Sequence, residues 1–190
     1  MRRAASPSRS PLAGLARQFG ALWRDERGAT AIELAILAVP FFALIGAILE
    51  TALVFLASQT LDSGVQDASR YIRTGQVQAI TNYNLESFRA AICGRLFGLF
   101  NCNNLMIVVK PVTSFATATI PATPLDPTDP TKWTISPSFL PGTGSSVIMV
   151  QVYYKWPTFM NFGGFRLGST ADGTYLMSTV RVFKNEPFTS

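Results

Sequence analysis

Arg27-Gly28-Ala29-Thr30-Ala31-Ile32-Glu33-Leu34-Ala35-Ile36-Leu37-Ala38-Val39-Pro40 opens an apolar run that lasts to Ala57. Residues 34–49 carry no charge at all, and weakly polar flanks extend the run over residues 29–57. As a helix this run rises roughly 43 Å, enough to cross a hydrocarbon core of about 30 Å. A secretory signal peptide would have an apolar region of only about 7 to 15 residues, ending at a small-residue cleavage site. Here the run continues into an amphipathic pattern, so it reads as a retained transmembrane helix. Pro40 removes the donor to the carbonyl of Ile36 and is expected to kink the helix, which a membrane helix tolerates. Ala35, Ala38, Ala43, Gly46 and Ala47 would let a neighbouring helix approach closely.

The composition narrows the class. The 190 residues are 48% hydrophobic and only 14% charged, well under the usual charged quarter of a soluble domain. There is no histidine and there are two cysteines. This excludes His-based zinc sites, Ser-His-Asp and Cys-His catalysis, and a four-thiolate zinc site. The net charge of +5 is unevenly spread. Residues 1–27 hold six arginines against Asp25 and Glu26; residues 28–57 hold only Glu33 and Glu50; residues 58–190 hold ten Lys or Arg against seven acids. An arginine-rich arm ahead of an apolar run keeps the N-terminus cytoplasmic. The later basic residues are scattered singly and form no stripe, so no nucleic-acid partner is expected.

Glu33 is the anomaly. A carboxylate at the centre of a membrane helix costs about 2.5 to 3.5 kcal/mol on insertion scales, and somewhat less near an end. It either snorkels to the headgroups or meets a partner. Glu50 lies 22 residues beyond Gly28, roughly 33 Å along the axis, so it reaches the opposite interface and needs no special role.

The arm, the stretch from Arg27 to Leu34, the Leu37-Ala38-Val39-Pro40 segment and the continuation into Gln59-Thr60-Leu61 together resemble the TadE-like (TadE/TadG) pseudopilins of Flp/Tad type IV pilus assembly. The end of the chain, Val180-Arg181-Val182-Phe183-Lys184-Asn185-Glu186-Pro187-Phe188, is similar to the closing segment of many of them. The resemblance implies that a prepilin peptidase cuts between Gly28 and Ala29, making Glu33 the fifth residue of the mature chain. It also implies that the Glu33 carboxylate neutralises the freed Ala29 amine of a neighbouring subunit. Leu34 departs from the aromatic usual in the major pilins of this system, which argues against a major subunit and fits a minor one better. The bland alternative for Gly28 is a junction between arm and helix.

Beyond the membrane, Leu61, Val65, Ala68 and Ile72 recur at helical spacing, predicting an amphipathic stalk to about Thr74 whose stripe packs on a globular head. Gly75 reads as a helix stop, and Asn84 as the N-cap of a second helix through Leu96. Cys93 and Cys102 are nine positions apart; on the oxidising side of a membrane they are expected to form a disulfide, the alternative being two buried thiols. Strands are predicted over residues 105–109, 147–156 and 175–183. Residues 111–146 hold seven of the twelve prolines and read as an exposed loop with a short edge strand near residues 116–120. Tyr153, Tyr154, Trp156, Phe159 and Phe162 with Gly163-Gly164 read as core plus turn.

The fold class is therefore α+β: a basic cytoplasmic leader (1–28), one transmembrane helix (29–57), and an exported head (58–190) in which the stalk packs on a small antiparallel sheet, as in type IV pilins. The expected localisation is single-pass in the bacterial inner membrane, with the head periplasmic. The expected function is that of a minor pseudopilin in Flp/Tad pilus assembly, not an enzyme, with no cofactor and no metal. Its expected partners are the prepilin peptidase, other pilins, the assembly machinery and the lipid bilayer. A signal-anchored exported binding protein is the alternative. An exported enzyme is disfavoured, since Asp126, Asp129 and Asp172 are the only obvious loop carboxylates and lack metal-ligand spacing.

Overall fold

The computed structural model of the chain describes residues 26–120, 123–162 and 165–188. Nearly all of the expected leader lies outside the described residues, as does the Gly163-Gly164 pair. The chain forms two compact units, Met1–Gly46 and Ala47–Ser190.

Helix α1 runs over Glu26–Arg73 and continues through Pro40. Within the first unit its apolar side chains, among them Ile32, Leu34, Ile36, Leu37, Phe41 and Phe42, are exposed. The helix is long and apolar enough to cross a membrane.

In the second unit one stripe of α1 is buried: Glu50, Val54, Ala57, Leu61, Val65, Ala68 and Ile72. These positions recur every three or four residues, as one face of an α-helix requires. The apolar ones join a single core with Phe88 and Ile92, with Ile107 and Val109, and with Ile148, Val150, Val152, Tyr154 and Met177. Gly64 lets the segment of residues 92–96 come close, because a Cβ there would lie 3.2 Å from Leu96 Cδ2. Helix α1 stops ahead of Gly75, whose φ of 78° suits glycine. Arg70 and Arg73 occupy the last turn, where positive charge complements the helix dipole. The backbone N–H of Glu186 donates to the Arg73 carbonyl at 2.9 Å, so the closing segment satisfies one helix-end acceptor.

A short helix α2 (Gln76–Ala79) leads to α3 (Leu85–Cys93). Asn84 caps α3 as expected, its side chain accepting from the Ser87 N–H at 3.0 Å. The strands are β1 (Met106–Val112), β2 (Ser138–Phe139), β3 (Val147–Trp156), β4 (Asn161–Phe162), β5 (Phe165–Arg166) and β6 (Tyr175–Lys184). The main sheet has the order β2-β1-β3-β6. The pairs β1/β3 and β3/β6 are antiparallel, with Val109 opposite Val150 and Val150 opposite Arg181. In β3, Ile148, Val150, Val152 and Tyr154 share the core face, as the alternation predicts.

Three expectations need correction. The sheet is mixed, because β2 pairs parallel to β1. The edge strand is β2, whereas residues 115–120 form a 3-10 turn and irregular backbone. The proline-rich segment is also more than an exposed loop. The other face of β3, with Met149, Gln151 and Tyr153, is buried too. Against that face lies Trp133, its ring 6.3 Å from that of Tyr153. Leu125, bridged to Trp133, is buried in the same segment. Lys155 ties the layers together by donating to the Pro130 carbonyl and pairing with Asp172 at 3.1 Å.

Two outcomes are expected. Leu61→Ala should destabilise the head by about 2–5 kcal/mol, whereas Gln59→Ala on the exposed side should stay within about 0.5 kcal/mol; thermal unfolding of the full chain in detergent measures both. Burial works to raise the Asp172 carboxyl, but hydrogen bonds from Thr170, Thr174 and Lys155 outweigh it and hold the group well below the usual carboxylate range. A carboxyl depressed in the folded state stabilises the fold above its unfolded value, and that stabilisation declines as pH falls below about 4. Asp172→Asn should therefore narrow the gap in thermal midpoint between pH 7 and pH 2, and an unchanged gap would count against this turn as an acid-sensitive element.

Candidate functional site

The candidate residues fall into two groups on α1 and one at the end of α3. The first group is Gly28, Ala29 and Glu33. Gly28 lies within α1 as described from Glu26 onward. A Cβ built there would meet nothing within 4 Å. Glycine in a helix costs roughly 0.5 to 1 kcal/mol relative to alanine, and packing among the described residues gives no reason to bear that cost.

Glu33 is exposed on the same helix, one turn before the exposed Ile36 and Leu37. Among the described residues the ion pairs join Arg73 to Glu186, Arg89 to Glu86, Arg95 to Asp67, Lys132 to Asp129, Lys155 to Asp172 and Arg181 to Asp62. None involves Glu33. Among the described residues its carboxylate has no ionic partner, and it lies on an apolar surface, where ionised groups need one.

The second group was not foreseen. Glu50, expected to need no special role, is buried within the head. Its carboxylate accepts from the backbone N–H of Phe159 at 2.6 Å and of Met160 at 2.9 Å. Charge-assisted bonds to backbone N–H groups are among the stronger hydrogen bonds in proteins. The available signal was spacing: Glu50 stands at the start of the stripe that continues through Val54 and Ala57 to Leu61. Two threonine hydroxyls of α1 are satisfied locally, Thr51 donating to the Ala47 carbonyl and Thr60 to that of Leu56, each at 2.8 Å.

At the end of α3, Cys93 and Cys102 form a disulfide with a Cα–Cα distance of 6.0 Å. It closes the loop containing Phe97 and Gly98, both with positive φ. The loop packs through Phe100, whose ring lies 4.9 Å from Tyr154 and 5.4 Å from Trp156. Tyr153, Tyr154 and Trp156 are thus core or packed against it. Phe159 is not core: it is 79% exposed, because the Glu50 carboxylate holds the backbone of its loop and leaves the ring outside.

The loop carboxylates serve turns. Asp126 accepts from Thr128, Asp129 from Thr131, and Asp172 from Thr174. Among the described residues no three His, Cys, Asp or Glu side chains gather as a metal site would require.

A long apolar helix packed on a small mixed sheet is an α+β arrangement consistent with a pilin-like fold. Residues 28–70 match the family described as TadE-like protein. The match takes in Gly28, Glu33, Pro40, Glu50 and the buried stripe as far as Ala68, under a quarter of the chain. No curated protein and no solved structure matches the chain.

Removing the disulfide by Cys93→Ala with Cys102→Ala should cost about 2–3 kcal/mol, the chain-entropy value for so short a loop. Chemical denaturation of oxidised and substituted chains provides the check.

Proposed function

We propose that this chain is a minor pseudopilin of Flp/Tad-type pilus assembly, a system with which the TadE-like family is associated. Its single helix anchors it in the inner membrane, with residues 1–28 as a cytoplasmic leader and the head in the periplasm. A prepilin peptidase removes the leader after Gly28. The apolar part of α1 then enters the filament or its assembly intermediate, where Pro40 provides the bend. Its partners are other pilins and the assembly machinery. It binds and assembles, and carries out no catalysis of its own.

The observation that carries this reading is the contrast between the two carboxylates of α1. Glu50 is answered within the chain by two backbone donors, whereas Glu33 has no partner among the described residues. Cleavage after Gly28 creates one cation at the right depth, the amine of Ala29. It lies four residues earlier on the same helix, roughly 6 Å along the axis. Within one chain, the amine and the carboxylate sit about a turn apart. Between chains offset along the axis by that amount, they meet side by side. In a low-dielectric setting their attraction is large and each reduces the other's need for water. The pair therefore sets the axial stagger between neighbouring subunits. Leader removal also discards the whole arginine arm, so residues 29–190, with ten Lys or Arg against nine acids, carry a net charge near neutrality.

Two measurements test the reading. N-terminal sequencing should find Ala29 as the first residue in cells with an active prepilin peptidase and Met1 in cells without it; Met1 retained in both would overturn the pseudopilin assignment. Glu33→Ala should leave processing intact and abolish pilus-dependent adherence, while Glu33→Asp should retain part of it. Full adherence in the alanine variant would show that the charge pair is unnecessary.

A further inference from the structure

The loop of residues 157–160 is fixed to α1 by the Glu50 carboxylate, which accepts from the N–H groups of Phe159 and Met160. That anchoring leaves Phe159 79% exposed. On α1 beside Glu50, Leu53, Phe55 and Leu56 are also exposed, although Val54 and Ala57 on the same turns are buried in the head. Exposed large apolar side chains gathered in one region of a protein mark an interaction surface. After Glu50 the next charged residue of α1 is Asp62.

Helix arithmetic places this surface. With the inner boundary of the hydrocarbon between Ala29 and Glu33, a core of about 30 Å spans roughly 20 residues and ends between residues 49 and 53. Glu50 and the loop it holds are level with that outer boundary, and Leu53 to Leu56 fall within the headgroup layer just beyond. A bare carboxylate there would face lipid; the loop encloses it with backbone donors and presents an aromatic ring outward. Aromatic and aliphatic side chains of this kind are favoured at the boundary between headgroups and acyl chains.

We propose that Phe159, together with Leu53, Phe55 and Leu56, forms a membrane-resting surface that seats the head on the outer leaflet of the bilayer. This rests on the membrane-anchored reading given above. The occupant is lipid, because the surface continues the exposed apolar side of the spanning helix through Ile48 and Leu49 without an intervening exposed charge. Phe97 is equally exposed but is excluded: its neighbour Leu96 packs beside Gly64, roughly 21 Å further along the helix than Glu50. Seating the head in this way fixes its height above the membrane before assembly.

The test uses the full chain in vesicles of phosphatidylethanolamine and phosphatidylglycerol, with lipids spin-labelled near the headgroup or deep in the acyl chain. Both native cysteines are in the disulfide, so an environment-sensitive fluorophore can be attached at one introduced cysteine: Phe159→Cys, Leu44→Cys in the span, or Thr143→Cys near the far end of the head. The expected result is strong quenching of the Phe159 probe by the shallow label with a blue-shifted emission. The Leu44 probe should be quenched by the deep label, and the Thr143 probe by neither. Adding Glu50→Ala should weaken quenching at Phe159 and leave Leu44 unchanged. An unquenched Phe159 probe beside a quenched Leu44 probe would overturn the resting surface while the anchored reading stands. If Leu44 is also unquenched, the anchored reading fails. A Phe159 probe that shifts only as the protein-to-lipid ratio rises would assign the surface to a second copy and overturn the proposal.

Discussion

A carboxylate on an apolar helix has to be answered by donors or cations, and the architecture of this chain follows from how its two such groups are answered. Glu50 recruits backbone N–H groups from residues more than a hundred positions away, and in doing so holds the loop after β3 against α1. Glu33 has no partner among the described residues, so its cost falls on whatever surrounds the helix.

The same helix serves two environments. From Glu50 to Ile72 one stripe is buried against β1, β3, β6 and α3. On the turns near Glu50 the opposite side remains apolar, as shown by Leu53, Phe55 and Leu56. Further along, that side becomes polar: Asp62 pairs with Arg181 of β6, and Asp67 with Arg95 beyond α3. The change from apolar to charged outer surface falls between Leu56 and Asp62, and the buried stripe runs on past it to Ile72. A disulfide at the end of α3 and a turn built around Asp172 stiffen a head whose sheet has only four strands.

Much of this was legible from sequence because it is local. The helix, its stripe from Leu61 to Ile72, the stop at Gly75, the cap at Asn84 and the bounds of β3 all follow from periodicity or from one residue's backbone preference. Gly28, Ala29 and Glu33 were legible as a pattern, and the family match covers them. What was missed is non-local. Nothing near Glu50 announces that its acceptors will be filled from residues 159 and 160. A two-residue strand such as β2 has no period to detect, and its parallel pairing depends on where a long proline-rich segment returns to the sheet. That segment read as a loop because prolines cannot build a central strand; its role as cover for Tyr153 rests on two residues, Leu125 and Trp133.

The account turns on whether the Glu33 carboxylate of one subunit contacts the Ala29 amine of another. A hydrophobic carbodiimide applied to membranes bearing assembled pili converts a carboxylate touching an amine into an amide without adding a spacer. Chains labelled with heavy isotopes and mixed with unlabelled chains distinguish links between subunits from links within one. The account predicts a peptide joined through the Glu33 side chain and the Ala29 α-amine, carrying one heavy and one light partner. Glu33 modified by the reagent to an unlinked acylurea, with no mixed-isotope peptide, would contradict it.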